Sequence, residues 1–376
     1  MINNPDILSN TPDVLPSTSP LNFECPSLES LSLVPFFGLQ KLITFSLGSS
    51  QFLDFFKSNF DLRDKARLLS ASGIGSGQFL NAIPVRADLI MHSLVFIEAV
   101  RLRLGITPIC LKSLSSNDIC PCGSTHNDVT SLINCQKAGG KFWIKRHDKL
   151  KFKLGNLCKA SGYHVEIEET VSDTAVLKRK ADVKINDWPL SFNLDGSVCT
   201  SAEVHVDVVI TDPTNDSNVS HGSAHTIRGW GANQSAKKKL RSLTASLVSS
   251  PNVYIPGACE TYGHIDKNFK NFLSDLAERH TYQSKTDAGL DISKENFLKN
   301  IFFNNYLQLI SVTIQKSFVE NLSNAIKIIK AHNIDCVPHT SNYCPAHRRN
   351  KLTVARMHAF LGTAERFGAS DLSQFV

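Results

Sequence analysis

The chain has 376 residues, 42% hydrophobic and 20% charged, with a formal net charge of +6. These proportions exclude a disordered or fibrous chain, leave room for two or three domains, and suit a polyanionic partner. The ten cysteines are irregularly spaced and the start lacks the basic and apolar regions of a secretory signal, so metal ligands in a reducing compartment are expected rather than a disulfide scaffold. The longest apolar runs fall far short of a bilayer span, which predicts no membrane partner and a nuclear or cytoplasmic protein.

Residues 1–27, rich in Pro, Ser and Asn, predict a flexible leader. The helical region predicted over 28–108 begins with a Phe-rich apolar stretch from Leu31 to Phe60. A short helix from Asp61 to Ser70 follows, capped by Asp61 or Asp64. Gly73, Gly75 and Gly77 predict a turn, because no strand precedes them and no Gly-Lys-Ser/Thr follows. Ala87 to Leu104 reads as the clearest helix. Leu89, Leu94, Ile97, Val100 and Leu102 give it a wide apolar face, Gly105 stops it, and Arg101 and Arg103 favour its C-terminal dipole.

A cysteine cluster lies within 109–146: Cys110, Cys120-Pro-Cys122-Gly, His126 and Cys135. The Cys-x-Cys-Gly turn presents two thiolates to one ion, and a Zn²⁺ knuckle needs two more N or S ligands. Cys135 supplies one, and His126 or Cys110 the other, with Cys120, Cys122, His126 and Cys135 as the preferred set. The plainer alternative is a loop of reduced cysteines. Beyond it, Lys145, Arg146 and Lys149 stand among other basic residues interleaved with Phe142, Trp143 and Phe152. That mixture suits nucleic acid, with phosphates on the cations and bases on the rings. A solvated helix face accounts for much of the same stretch.

A helix from His147 to Gly162 leads into an alternating strand, Tyr163 to Glu169. Two further period-two segments follow at 178–185 and 203–211, and each presents one carboxylate, Asp182 and Asp207. The loop from Asp212 to Gln234 is predicted to be mobile. A basic helix from Ser235 to Val248, with Lys237, Lys238 and Lys239, precedes a short strand, Val253 to Ile255. Amphipathic helices are predicted over Asn268–His280 and Phe297–Ala331. This order predicts an α/β arrangement around a small mixed sheet. Neighbouring strands that point carboxylates the same way make a hard oxygen site for Mg²⁺. Amid cations such as Lys180, Lys237 and Lys238, that is what phosphodiester cleavage needs. Two exposed carboxylates on an ordinary sheet are the alternative.

Several ordered strings then point to a family: Ala66-Arg-Leu-Leu-Ser-Ala-Ser, Gly75-Ser-Gly-Gln-Phe-Leu-Asn-Ala-Ile-Pro84, Arg101-Leu-Arg-Leu-Gly, Pro108-Ile-Cys, Cys120-Pro-Cys-Gly, Cys135, Arg146-His, Lys180-Ala-Asp182, Val206-Asp-Val-Val-Ile-Thr-Asp212, Glu260-Thr-Tyr-Gly and Ser311-Val-Thr-Ile-Gln. Their order and spacing over about 64–320 resemble the C-terminal part of non-LTR retrotransposon reverse-transcriptase polyproteins that carry a restriction-like endonuclease. The resemblance implies a zinc knuckle followed, over 147–285, by a nuclease of the PD-(D/E)xK superfamily whose catalytic Lys has moved to a helix. Asp182 and Asp207 would bind Mg²⁺, Lys239 would be the helix lysine, with Lys238 close behind, and Glu168 or Glu169 an acidic residue ahead of the first strand. Such a domain nicks target DNA so that a polymerase can prime there, which implies DNA and the element's own RNA as partners.

The chain departs from the family pattern in places. Ala181 stands where the family has Pro, the two aspartates are further apart in sequence, and Ser131 occupies the place of the knuckle His. Nothing resembles a polymerase palm, so a fragment or domesticated remnant is expected. C-terminal helices over 286–332 and a tail over 333–376 complete the organisation. The tail carries Cys336, His339, Cys344 and His347, a possible second zinc site of unusual spacing. Two functions remain: a Mg²⁺-dependent endonuclease, or a catalytically inactive nucleic-acid-binding remnant of the same fold.

Overall fold

The computed structural model describes residues 61–168, 181–192, 198–244, 253–288 and 295–335. The leader, the Phe-rich stretch, Glu169, Lys180 and the C-terminal Cys/His series lie outside the described residues. Within them the chain is mixed α/β, with eight α-helices and one four-stranded sheet.

Helix α1, Leu62–Ala71, ends in the predicted glycine turn. Helix α2 is shorter than expected, Ser93–Leu104, because residues 86–89 close a turn instead (Leu89 N–H to Arg86 carbonyl, 2.9 Å). The face it buries keeps Leu102 from the predicted one but otherwise differs. Leu94 and Ile97 are exposed, while Glu98, Ala99 and Leu102 are buried. The Glu98 carboxylate draws that face inward by accepting the N–H groups of Ile109 (2.9 Å) and Cys110 (2.7 Å), which satisfies a buried charge. Gly105 stops the helix at φ +72°, and the Ile106 N–H closes back on the Arg101 carbonyl at 2.9 Å. Arg101 donates to the Thr107 carbonyl and Arg103 to that of Ser76, so both arginines fasten turns around α2.

Helix α3, Val129–Asn134, is capped by the Asp128 carboxylate, which accepts the Ser131 N–H at 2.8 Å. Helix α4, Trp143–Ala160, starts four residues before its predicted start and buries Leu150, Leu154, Leu157 and Cys158. Strands β1 (Val165–Ile167), β2 (Val183–Phe192) and β3 (Val198–Thr211) come next. The stretch predicted as a mobile loop is instead folded down. Asn215 caps a short helix α5, Asp216–Val219, and the Asn218 side chain donates to the Asp212 carbonyl at 2.7 Å. Helix α6, Trp230–Thr244, therefore begins earlier than its basic residues suggested. Strand β4 (Val253–Glu260) and helices α7 (Lys267–Ala288) and α8 (Glu295–Asp335) finish the chain.

The strands lie in the order β1-β2-β3-β4, with antiparallel pairings up to β3 and a parallel β3–β4 pair. A parallel pair needs a crossover, and α6 provides it. Val183, Ile185, Val204, Val206 and Val208 alternate into one core with Leu150, Leu154 and Leu157, as period-two patterning requires. On the other side, Val209 and Ala258 meet Ala232 and Ala236 of α6. Those small side chains let the helix lie close to the strands that carry the acidic residues. Helix α8, about 60 Å long at 1.5 Å per residue, adds Leu309, Ile310, Phe318 and Leu322 to the main core. Each fully buried apolar side chain there contributes about 1.5–3 kcal/mol. No helix of the described residues is long and apolar enough to cross a membrane.

Candidate active site

The β2–β3 register pairs Val183 with Val206. One step further along the antiparallel ladder, Asp182 faces Asp207, so two carboxylates meet as cross-strand neighbours. Each side chain is 14% exposed, sheltered yet reachable. Three residues converge on them from separate elements. His147 on α4 places Nε2 2.9 Å from Asp182 Oδ2, which also accepts the Val208 N–H at 2.7 Å. Lys239 on α6 donates to both oxygens of Asp207, at 2.8 and 2.7 Å. The Tyr254 hydroxyl on β4 donates to Asp207 Oδ2 at 2.6 Å. One ligand atom from each of His147, Asp182 and Asp207 lies within 4.8 Å of the other two.

Burial favours the neutral form of Asp182, but the hydrogen bonds from His147 and the Val208 N–H and the bond shared with Asp207 outweigh it, holding the group below the ordinary range. Asp207 is pushed up by burial and by Asp182, with Lys239 and Tyr254 opposing. The Asp182 bond lifts His147 above its ordinary value against the effect of burial. A low carboxyl facing a raised one is the pattern expected when two acids share a small polar site.

Asp182, Asp207 and Lys239 thus come together as the sequence predicted. Glu168 does not join them: it ends β1 with a left-handed backbone (φ +61°), and its carboxylate pairs with Lys151. Lys151 is itself buried and also holds Asp148 at 2.9 Å, so Glu168 serves a support for α4 instead of the carboxylate pair. His147 is the residue missed. It sat in the Arg146-His string, but no spacing rule links a helical histidine to a strand 35 residues later.

Among the candidate phosphate contacts, Lys145, Lys237 and Lys238 are exposed, and Lys149 is paired with Glu320. Arg146 corrects the expectation of a nucleic-acid contact. It is 4% exposed and donates inward to the Thr261 hydroxyl at 3.3 Å, because the helical period that puts Leu150 and Leu154 in the core puts residue 146 there too. Nearby Glu260, at the end of β4, is 1% exposed. Its Oε1 accepts the N–H groups of Gly231 (2.9 Å) and Ala232 (3.2 Å) at the start of α6, and Oε2 has no hydrogen-bond partner among the described residues. Burial pushes this carboxyl up to about 7. The two amides oppose it, as does the adjacent Ser70 hydroxyl, whose geometry falls short of a hydrogen bond.

The cysteine cluster closes on itself around the turn at Gly123 (φ +87°), where the Gly123 N–H meets the Cys120 carbonyl at 2.8 Å. Cys120 Sγ lies 3.6 Å from Cys135 Sγ, Cys122 Sγ lies 3.5 Å from His126 Nε2, and the four ligand atoms fall within 4.8 Å of one another. Cys110 stands apart from this group, its N–H bonded to Glu98. Ser131 hydrogen-bonds Asp128 as part of the α3 cap. Burial works against ionisation of Cys122, yet the Ser124 N–H and its cluster neighbours bring the thiol down to about 6, while burial lifts Cys120 to about 12. Three thiols and an imidazole at this separation are a donor set that can hold a tetrahedral ion.

No model of a known protein family matches the chain, and no curated protein matches it.

Proposed function

We propose that the chain is a Mg²⁺-dependent DNA endonuclease of restriction-like fold, derived from a non-LTR retrotransposon polyprotein, that nicks one strand of its target in the nucleus. The observation that carries this reading is the meeting of Asp182 and Asp207 across two strands with Lys239 on the second carboxylate. Two oxygens on one Mg²⁺ at ~2.1 Å each lie at most ~4.2 Å apart. The 4.8 Å limit on these ligand atoms therefore leaves about 0.6 Å or less to close. The residues fit the ion.

Bound there, Mg²⁺ supplies a Lewis acid that activates water and offsets charge on the phosphate. Asp182 and Asp207 fix where it sits, and the Val208 N–H and Tyr254 hydroxyl orient their oxygens. Lys239 brings a cation to the same place and offsets charge developing on the scissile phosphate. Lys145, Lys237 and Lys238 supply exposed positive charge for the backbone of DNA or of the element's RNA. Cys120, Cys122, His126 and Cys135 would hold a structural Zn²⁺. Chelation should release one zinc per chain and lower Tm by several degrees, on the scale of ~2–4 °C per kcal/mol for a domain of this size.

The inactive-remnant reading draws on one observation: Lys239 already engages both oxygens of Asp207. Incubating supercoiled plasmid and Mg²⁺ with wild type, Asp182→Ala and Asp207→Ala separates the two. The nuclease gives nicked circles that each substitution reduces by on the order of a thousandfold. The remnant gives none, and all three proteins bind DNA with the same salt dependence.

A further inference from the structure

Resting on the reading of the carboxylate pair as a metal centre, we propose that His147 is its third ligand and that the imidazole makes the site select Mn²⁺ over Mg²⁺. The argument is geometric. Two ligand atoms adjacent on an octahedral ion at ~2.1 Å are separated by ~3.0 Å. His147 Nε2 and Asp182 Oδ2 already stand 2.9 Å apart. An ion can therefore replace the hydrogen bond between them without driving the side chains apart.

The other ring nitrogen is supported as a ligand histidine requires. Nδ1 lies 3.2 Å from Asp148 Oδ1, and the buried Lys151 holds that carboxylate from behind at 2.9 Å. A carboxylate on the far nitrogen fixes the tautomer that leaves Nε2 free to bind and sets the ring's orientation. Lys151 in turn is tied to Glu168. The acidic residue expected in the catalytic set thus lies at the outer end of the support that steadies this histidine.

Ligand chemistry then decides the ion. Two carboxylates alone suit Mg²⁺, Ca²⁺ and Mn²⁺ alike, whereas an imidazole favours transition ions and disfavours Mg²⁺. Mn²⁺ is the transition ion that also suits carboxylates, so a mixed set of two carboxylates and one imidazole binds it in preference to Mg²⁺.

The test is Mn²⁺ binding to the zinc-loaded chain without DNA, followed by electron paramagnetic resonance, with Mg²⁺ as competitor. Mn²⁺ should bind at least about tenfold more tightly than Mg²⁺. Asp148→Asn should weaken Mn²⁺ by about 10–100-fold, the usual cost of losing such a support. His147→Asp should abolish the preference by making the site all-oxygen, with circular dichroism confirming that each variant is folded. Equal affinity for the two ions, Mn²⁺ affinity unchanged in folded His147→Ala, or no Mn²⁺ bound, overturns the proposal. Plasmid nicking is scored separately. Selective Mn²⁺ binding without nicking removes the nuclease reading and leaves the site, while nicking with no dependence of ion preference on His147 does the reverse.

Discussion

Asp207 and Glu260 lie on neighbouring strands and both bind helix α6, yet they are opposite kinds of carboxylate. Asp207 meets the helix through the Lys239 ammonium, keeps some exposure, and has a second carboxylate across the ladder. Glu260 meets the helix start through two backbone amides and is enclosed. Both carboxyls are raised by burial, but only Asp207 has a cation hydrogen-bonded to it to offset the effect. The contrast shows one helix performing two tasks: its start is anchored by a buried acid, and its middle delivers a lysine to a reachable one. A candidate reactive carboxylate lies where charge is compensated and solvent can enter, and an anchoring one lies where neither holds.

The largest expected effect breaks the anchor. Glu260→Ala leaves the Gly231 and Ala232 amides buried without an acceptor, so unfolding free energy measured with denaturant should fall by roughly 3 kcal/mol. Asp207→Ala, which removes the reachable acid, should change the same quantity by about 1 kcal/mol or less. Near-equal losses would erase the distinction drawn above.

A second expectation concerns pH. The folded-state value of Glu260 is raised from 4.5 to about 7, so its contribution to stability is fully present below 4.5 and is lost as pH rises through 7. Relative to Glu260→Gln, wild type should lose up to roughly 3 kcal/mol across that window, at ~1.4 kcal/mol per pH unit. Asp182 runs the other way: held below its ordinary range, it supports the fold above that range and the support is lost as pH falls. Paired denaturation curves at pH 4.5 and 7.5 for wild type and Glu260→Gln check the sign.

The smallest effect sharpens the reactive end. Tyr254→Phe removes one donor from Asp207, a change of about 1 kcal/mol or fivefold in nicking rate. It should also move the acid limb of the nicking profile to higher pH, because Tyr254 helps hold the Asp207 carboxyl down. An unmoved limb would show that Asp207 does not govern it.

Much of this arrangement was legible in the sequence, for reasons that differ by residue. Period two exposed β2 and β3 and with them Asp182 and Asp207, since alternation reports one buried face directly. The glycine turn and the stop at Gly105 followed from local backbone demands. What failed was anything decided at a distance. The buried face of α2 is set by Glu98 reaching the chain that follows it, and Arg146 is carried inward by the leucines of its own helix. Glu168 stays away from the carboxylate pair because Lys151 claims it, and His147, for which no role was expected, reaches Asp182 instead. The loop after β3 looked mobile because it is rich in Asn, Ser, His and Gly, and the side chains of Asp212, Asn215 and Asn218 fasten it down.

The edges of the sheet carry a further consequence. Among the described residues, β1 is three residues long, and β4 at the other edge carries Pro256, which has no N–H to offer an incoming strand. Where all four strands pair, a short strand at one margin and a proline at the other deny a long, flat template. The uncovered outer end of the β2–β3 hairpin is broken instead by Pro189 and by register shifts, which blunts the feature through which sheets recruit one another into aggregates. Among the described residues, two crowded copies would thus find only short or interrupted backbone edges on which to extend a shared ladder.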